Sequence, residues 1–372
     1  MDVRDPELMS VGTDEVVVTF VTDPGVEVTT EVGESSATTK GPFHVAHIKG
    51  LEPDCEYPLT VERVAMSSEY LPPTVRTLQN PGGRLLATFA TANDVHFGEL
   101  ECGRIEAFGD VQPGPVFASG PGQLPYPDMM NAAAIDEIAA ANADAVLVKG
   151  DLTTYGTESE LAQFLAAWSS LGTKMRYVRG NHDACVSDTL ARTDTPYVIE
   201  LPGVALAVLD TVIHLSPNGQ ISRAQLRWLD ELAAESTVPV LVFGHHHVWS
   251  PESRRREPGY FGINPDDSEA LIDIVHRRDA IAGYFAGHTH RNRVRRFAQA
   301  RYVPFVEVAC VKDYPGAWAE YQVYEGGYTQ IVRRIGAPEA LAWTEQTRGM
   351  FSGHYRDYAL GQLSSRCFSE AV

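Results

Sequence analysis

The 372-residue chain is poor in cysteine, poor in cations and without a long apolar run. Its five cysteines (Cys55, Cys102, Cys185, Cys310, Cys367) are odd in number, scattered and never spaced as CxxC, which argues against a disulfide framework and against a thiolate zinc site. A reduced compartment fits that usage. No uninterrupted apolar stretch approaches the ~18 residues that a membrane-spanning helix needs. The opening residues, MDVRDPELMS, are acidic and have no apolar segment behind them, so the expectation is a cytoplasmic protein with no membrane partner. Cations are scarce: 30 Lys and Arg stand against 49 Asp and Glu, a formal charge of −19. Such a surplus repels a phosphate backbone at long range, which disfavours nucleic acid and points to small partners. Repeats and low-complexity tracts are absent as well.

What is present is the composition of a folded protein, 44% hydrophobic and 21% charged, at a length that exceeds one ordinary core. The grammar changes near residue 80. Residues 1–80 hold short β-rich runs (Val16 to Val21, Val26 to Thr30, Thr74 to Leu78) punctuated by Pro, Gly and Asp, and they carry −9 of the total charge. A small all-β sandwich is expected there. Within it, Leu51-Glu52-Pro53 followed by Tyr57 resembles the L-x-P-x-x-x-Y stretch of fibronectin type III domains, in which a tyrosine at a strand corner bonds back to upstream backbone. Tyr57 takes that role by resemblance, and Pro58 after it suggests an edge strand. This module is expected either to pack beside the functional site or to mediate self-association into a homo-oligomer.

From Arg84 the pattern alternates strand and helix, which argues for an α/β layered domain over 84–335, followed by a helical or irregular tail over 336–372. Apolar strands are expected at Leu85 to Thr91, Ala145 to Val148, Met175 to Val178, Val238 to Phe243 and Ile281 to Ala286. Thr157 with Glu160, Ser222 with Gln225 and Asp266 with Glu269 read as caps opening amphipathic helices. Tyr321 to Tyr324 and Tyr328 to Val332, joined across Glu325-Gly326-Gly327, read as a closing hairpin. The Gly/Pro-rich stretch from Phe97 to Tyr126 is a long connection that is expected to shape substrate choice.

Each of the five apolar strands is followed by residues that can ligate a metal: Asp94-Val95-His96, Gly150-Asp151, Gly180-Asn181-His182-Asp183, Gly244-His245-His246-His247 and Gly287-His288-Thr289-His290. In open α/β sheets the carboxyl ends of strands form the rim where ligands bind, so five loops spread over the sequence can meet at one site. Oxygen and imidazole donors without cysteine suit Mn, Fe, Zn or Co. Any one of these motifs is commonplace as a surface or core feature; five in order, each at a strand end, are not. Cys185, beside GNHD, reads as a small buried apolar residue. Arg254 to Arg256 and Arg291, Arg293, Arg295 and Arg296 form basic groups that either draw in an anion or decorate an exposed strand.

The ordered set resembles the calcineurin-like metallophosphoesterase family over roughly Arg84 to Arg334. The resemblance implies a four-layer α/β sandwich, two packed mixed sheets flanked by helices, with two divalent or trivalent transition-metal ions (Mn, Fe or Zn) at one end. Carried onto this sequence, Asp94, His96 and His290 hold one ion, Asn181, His245 and His288 the other, and Asp151 bridges them; among the three consecutive histidines, His246 is the alternative to His245. The implied chemistry is attack on a phosphate ester by a water activated between the ions. His182 then serves as general acid and Asp183 as its orienting partner. Purple acid phosphatases pair a fibronectin-like domain with this catalytic fold, but they place a tyrosine three residues after the bridging Asp and no His in the first motif. Here Thr154 stands at that position and His96 is present, which is closer to the cyclic nucleotide and glycerophosphodiester phosphodiesterases. The expected substrate is therefore a small phosphodiester, with phosphomonoester hydrolysis or a non-catalytic metal-binding scaffold as the alternatives.

Overall fold

The computed structural model describes residues 2–105, 108–109, 111–256 and 259–372; Glu106, Ala107 and Asp110, inside the long connection expected to shape substrate choice, lie outside the described residues. Seven strands, β1 (Arg4–Val11), β2 (Glu15–Val21), β3 (Glu27–Val32), β4 (Ser35–Lys40), β5 (Phe43–Lys49), β6 (Glu56–Val61) and β7 (Thr74–Arg76), form two antiparallel sheets in the orders β1-β2-β5 and β4-β3-β6-β7. Period-two burial in β3 and β5 turns Val28, Val32, Ala46 and Ile48 into a shared core with Val18 and Phe20. The Tyr57 hydroxyl accepts the Glu52 backbone N–H at 2.9 Å, tying the strand back to the chain upstream. The expected edge strand at Pro58 is corrected: β6 lies between β3 and β7. Proline sits at the end of the β3 ladder, whose regular pairing starts at Leu59: Pro58 accepts from the Gly33 N–H at 3.0 Å and has no N–H to return, so only one terminal bond is lost.

Twelve further strands make two mixed six-stranded sheets. Those concerned are β8 (Leu85–Ala92), β9 (Ala145–Lys149), β10 (Met175–Val178), β11 (Tyr197–Leu201), β12 (Val204–Val208), β13 (Val240–Phe243), β14 (Ile281–Ala286), β15 (Arg293–Arg296), β16 (Pro304–Glu307), β17 (Ala317–Tyr324), β18 (Gly327–Arg334) and β19 (Cys367–Ala371). Their orders are β10-β9-β8-β17-β18-β19 and β11-β12-β13-β14-β16-β15. Between the sheets Phe89 and Tyr321 stack at 4.4 Å and Phe243 and Phe285 at 5.0 Å, with Phe89 edge-on to Phe243 at 5.9 Å. Helices α1 (Tyr126–Ala141) and α2 (Glu158–Trp168) pack together through Trp168, whose Nε1 donates to Asn131. Helices α3 (Arg223–Glu235) and α4 (Pro265–Arg277) bury Leu226, Leu229, Leu271 and Ile274 against Val240, Val242 and Tyr284.

Local signals place several elements. Thr157 and Glu160 close a reciprocal capping box on α2, and the Ser222 hydroxyl caps α3. The hairpin forms with Tyr324 opposite Gly327. The α4 start differs from expectation: Asn264 caps it by accepting from Asp267, and Pro265 opens the first turn, a role proline's fixed φ suits. The tail after Pro338 also differs. It is helical in α5 (Pro338–Thr347), α6 (Tyr355–Leu360) and α7 (Leu363–Arg366), but then ends in β19, which pairs with β18 at the sheet edge. No helix among the described residues is long and apolar enough to cross a membrane.

Candidate metal centre

The strands β8, β9 and β10 are parallel neighbours in one sheet, and β13 and β14 in the other, so their carboxyl ends share one edge of the sandwich. The loops that follow are tied to each other by backbone. Asp94 N–H donates to the Gly150 carbonyl at 3.0 Å, His96 N–H to Asp151 at 2.9 Å and Gly287 N–H to His245 at 2.9 Å. Two contacts bridge the sheets: Lys149 Nζ donates to the Ala286 carbonyl at 2.9 Å, and His245 Nδ1 to the Lys149 carbonyl at 2.8 Å. The approach is close enough to demand glycine at two turns. A Cβ on Gly180 would sit 2.2 Å from Asp151 Oδ1, and one on Gly150, at φ +86°, would sit 2.4 Å from His245 Nδ1.

The geometry gathers all seven residues proposed from the sequence. His245 Nε2 lies 3.3 Å from Asp151 Oδ2 and 3.1 Å from Asn181 Oδ1, His96 Nε2 3.6 Å from Asp151 Oδ2, and His290 Nε2 3.5 Å from Asp94 Oδ1. Five clusters of donor atoms form among the described residues: Asp94 with His96 and His290, Asp94 with Asp151 and His245, His245 with His246 and His288, His96 with Asp151 and His182, and His290 with Cys310 and Asp313. Three features show that this donor set fits metal ions. Both ring nitrogens of His96 and Nε2 of His288 are buried with no hydrogen-bond partner, an arrangement that is costly unless something else satisfies them. Asp94, His96, Asp151, His288 and His290 all adopt left-handed backbone, with φ between 47° and 67°, the kind of strain that persists where function requires it. Burial pushes His96 and His288 well below the usual imidazole range, which keeps them in the neutral form that ligates. His245 differs: burial opposes its charge, but the Asp151 carboxylate raises it to about 9.

Around this cluster the roles divide. His182 Nδ1 donates to the Thr154 carbonyl at 2.8 Å, leaving Nε2 free of that bond, and its ring lies edge-on to His96 at 4.7 Å. The expectation that Asp183 orients His182 is corrected. The Asp183 carboxylate accepts N–H bonds from Leu152, Thr153 and Gly180 and the Thr153 hydroxyl at 2.7 to 3.2 Å, so it staples the Asp151 loop to the Asn181 loop. Cys185 is exposed, contrary to the buried position expected. His246 is held by Thr211 Oγ1 at 2.8 Å, and its Nε2 has no partner. Several arginines of the two basic groups are occupied internally: Arg291, Arg293 and Arg295 after the last motif surround the buried Glu307 carboxylate, and Arg256 after the histidine cluster pairs with Asp266 and Glu269.

Sequence reasoning missed Asp313. Its carboxylate lies 3.4 Å from His290 Nδ1 and accepts from the Tyr355 hydroxyl at 2.6 Å and the Cys310 thiol at 2.9 Å, so it holds the ring whose other nitrogen faces Asp94. No motif marks it. A lysine-aspartate pair, Lys312-Asp313, directly after the apolar run Val308 to Val311 was the available signal.

Comparison with known proteins agrees with this geometry. Residues 87–292 match the family model described as calcineurin-like phosphoesterase. A glycerophosphodiester phosphodiesterase from Enterobacter lignolyticus is 24% identical over 42% of this chain and 59% of its own length. A probable cyclic nucleotide phosphodiesterase from Rhodopseudomonas palustris is 27% identical over 39% of this chain and 56% of its own. The chain thus spans under two thirds of the length of these curated relatives. Among solved structures, a dimetal phosphatase from Danio rerio superposes with a TM-score of 0.51 at 15% identity, covering 68% of this chain and 97% of that one; the likeness is one of fold.

Proposed function

The chain belongs to the calcineurin-like phosphoesterase family, and on that premise we propose that it hydrolyses a phosphodiester at a centre holding two transition-metal ions, Mn, Fe or Zn. The catalytic unit of this reading is residues 84–335, flanked by a fibronectin type III-like module over 1–80 and by the tail over 336–372. Asp94, His96 and His290 would hold one ion and Asn181, His245 and His288 the other, with Asp151 available to both. The observation that carries the reading is the set of buried imidazole nitrogens without partners around the Asp94 and Asp151 carboxylates. His245 is preferred over His246 because its Nε2 faces both Asp151 and Asn181, whereas His246 is turned to Thr211.

When bound, two ions supply Lewis-acid activation of a water nucleophile and neutralise charge on the phosphate. The rest is the work of the chain. The N–H groups of His288 and His182 donate to the Asp94 and Asp151 carboxylates and fix their positions. His182, its Nδ1 proton engaged by Thr154, presents Nε2 to protonate the departing ester oxygen. The diester preference is supported by the phosphodiesterase names of the curated relatives. The test compares bis(p-nitrophenyl) phosphate with p-nitrophenyl phosphate on protein supplied in turn with Mn, Fe and Zn. The diester is expected to be favoured by about tenfold or more in kcat/KM. The reverse ratio makes the chain a phosphatase, and no turnover of either ester under any metal removes the enzymatic reading.

A further inference from the structure

A cavity of about 670 Å³ opens above the metal-ligand cluster, far more room than a phosphate needs and within the range of small-molecule sites. Its floor is His96, Asp151, Asn181 and His288; much of its wall is carbon. Phe261 stands there half exposed, held at φ +48° by its N–H bond to Asn218, with its ring 4.1 Å from that of His288. Met350, Phe351, Tyr355 and Tyr358, all from the tail, form the facing surface. Phe351 lies edge-on to Tyr355 at 5.5 Å, and Tyr355 stacks with Tyr358 at 6.0 Å.

The polar ends of these rings point elsewhere. The Tyr355 hydroxyl donates to Asp313 and the Tyr358 hydroxyl to the Thr289 carbonyl at 2.8 Å, so the wall offers ring surface in place of hydroxyl groups. The wall is also fixed from behind. Arg348 and Arg356 on the tail both bind the buried Glu7 carboxylate of β1, and the Arg356 guanidinium covers the Tyr70 ring at 3.6 Å. Ser352 bonds to the Pro113 carbonyl in the connection after the first motif. Tyr355 and Met350 are buried behind the wall, while Phe261, Phe351 and Tyr358 leave ring surface open to the cavity, a site suited to an apolar flat group.

We propose that this wall is the subsite for the organic group of the ester, and that it selects esters carrying a planar aromatic ring, an aryl group or a nucleobase, over polyol esters such as glycerol. The proposal rests on the phosphoesterase reading of the floor. A ring stacked on Phe351 or Phe261 gains contact and sheds water, whereas glycerol hydroxyls find no unengaged tyrosine hydroxyl among those named.

The test is equilibrium binding of AMP and of glycerol 3-phosphate to the full-length metal-loaded protein by calorimetry, with turnover of cyclic AMP and glycerophosphoethanolamine measured beside it. AMP is expected to bind about tenfold more tightly than glycerol 3-phosphate. Phe351→Ala and Phe261→Ala should each erase most of that preference and leave glycerol 3-phosphate affinity within about twofold, because the phosphate is held at the floor. Equal affinity of the two probes for the wild type, or variants that weaken both probes alike, overturns the subsite even if diesters are hydrolysed. A preference for AMP with no turnover of any ester upholds the subsite and removes the hydrolase reading instead.

Discussion

Two clusters of buried charge, one beneath the cavity and one where β1 meets the tail, solve the same electrostatic problem in opposite ways. At the junction, Glu7 is fully buried and faces Arg334, Arg348 and Arg356; Glu345 faces Arg334 and Arg348; and the Tyr314 ring lies under two of those guanidiniums, at 4.6 and 5.5 Å. Each charged group there meets an opposite charge inside the chain. Beneath the cavity, burial keeps His96 and His288 neutral while the carboxylates of Asp94 and Asp151 help to raise His290 and His245 against burial; several ring nitrogens have no partner, and the backbone is strained at five of the seven proposed ligands. A closed cluster is architecture; an open one leaves donors for something from outside, on the proposed reading cations.

Four experiments would break or sharpen that contrast. The largest effect is expected at the open cluster: His182→Ala should lower kcat by about 10²- to 10⁴-fold, as loss of a general acid does. Metal content should stay at the wild-type level; a parallel loss of metal would make His182 a ligand. At the closed cluster, Glu7→Ala removes the carboxylate that Arg334, Arg348 and Arg356 share, leaving the first two with Glu345 alone, and should cost about 3–5 kcal/mol in denaturant unfolding. Metal bound per folded chain should not change, and a cost under about 1 kcal/mol would mean that the pairs are not coupled. Asp313→Asn loosens the ring of His290 and should weaken metal affinity by about 10- to 100-fold. Unchanged affinity would leave Asp313 with only a packing role.

The smallest effect concerns Glu15 on β2, which pairs with His47 and with Arg333 of the catalytic sheets. Burial alone would raise its carboxyl, but the His47 hydrogen bond and Arg333 override that and hold it at about 2, against 4.5 for an ordinary glutamate. A depressed folded-state value means that the stabilisation is present above about pH 4.5 and is lost as the pH falls towards 2. Urea midpoints at about pH 6 and about pH 3 should therefore separate further in the wild type than in Glu15→Gln. Equal separation would show that Glu15 contributes nothing to acid stability.

The same contrast explains what could be read in the sequence. The grouping at the floor was legible because each proposed ligand follows an apolar strand within a few residues, as Asp151 follows β9 and His245 follows β13, and because sheet geometry forces such loops together. Caps at Thr157 and Ser222 were legible for the same local reason. The junction was not. Glu7 and Arg348 are 341 residues apart, and no periodicity in β1 announces that both its faces are covered, one by its own module and one by β18. Asp313 and the aromatic wall escaped likewise, since Tyr355 and Asp313 have meaning only once α6 is laid against the loop after β16. The misreading of Asp183 has a finer cause: adjacency to His182 suggested a partner, while the turn points its carboxylate back into the loops it joins.

The central claim is that the open cluster is completed by two ions shared across Asp151. Elemental analysis of the purified full chain, repeated on Asp151→Asn after equilibration with one metal, tests it most directly. About two ions per wild-type chain and a loss of binding in Asp151→Asn, with the fold retained by circular dichroism, is the predicted result. A metal-free wild type that takes up no Mn, Fe or Zn, or an Asp151→Asn variant that still holds two ions, would contradict it.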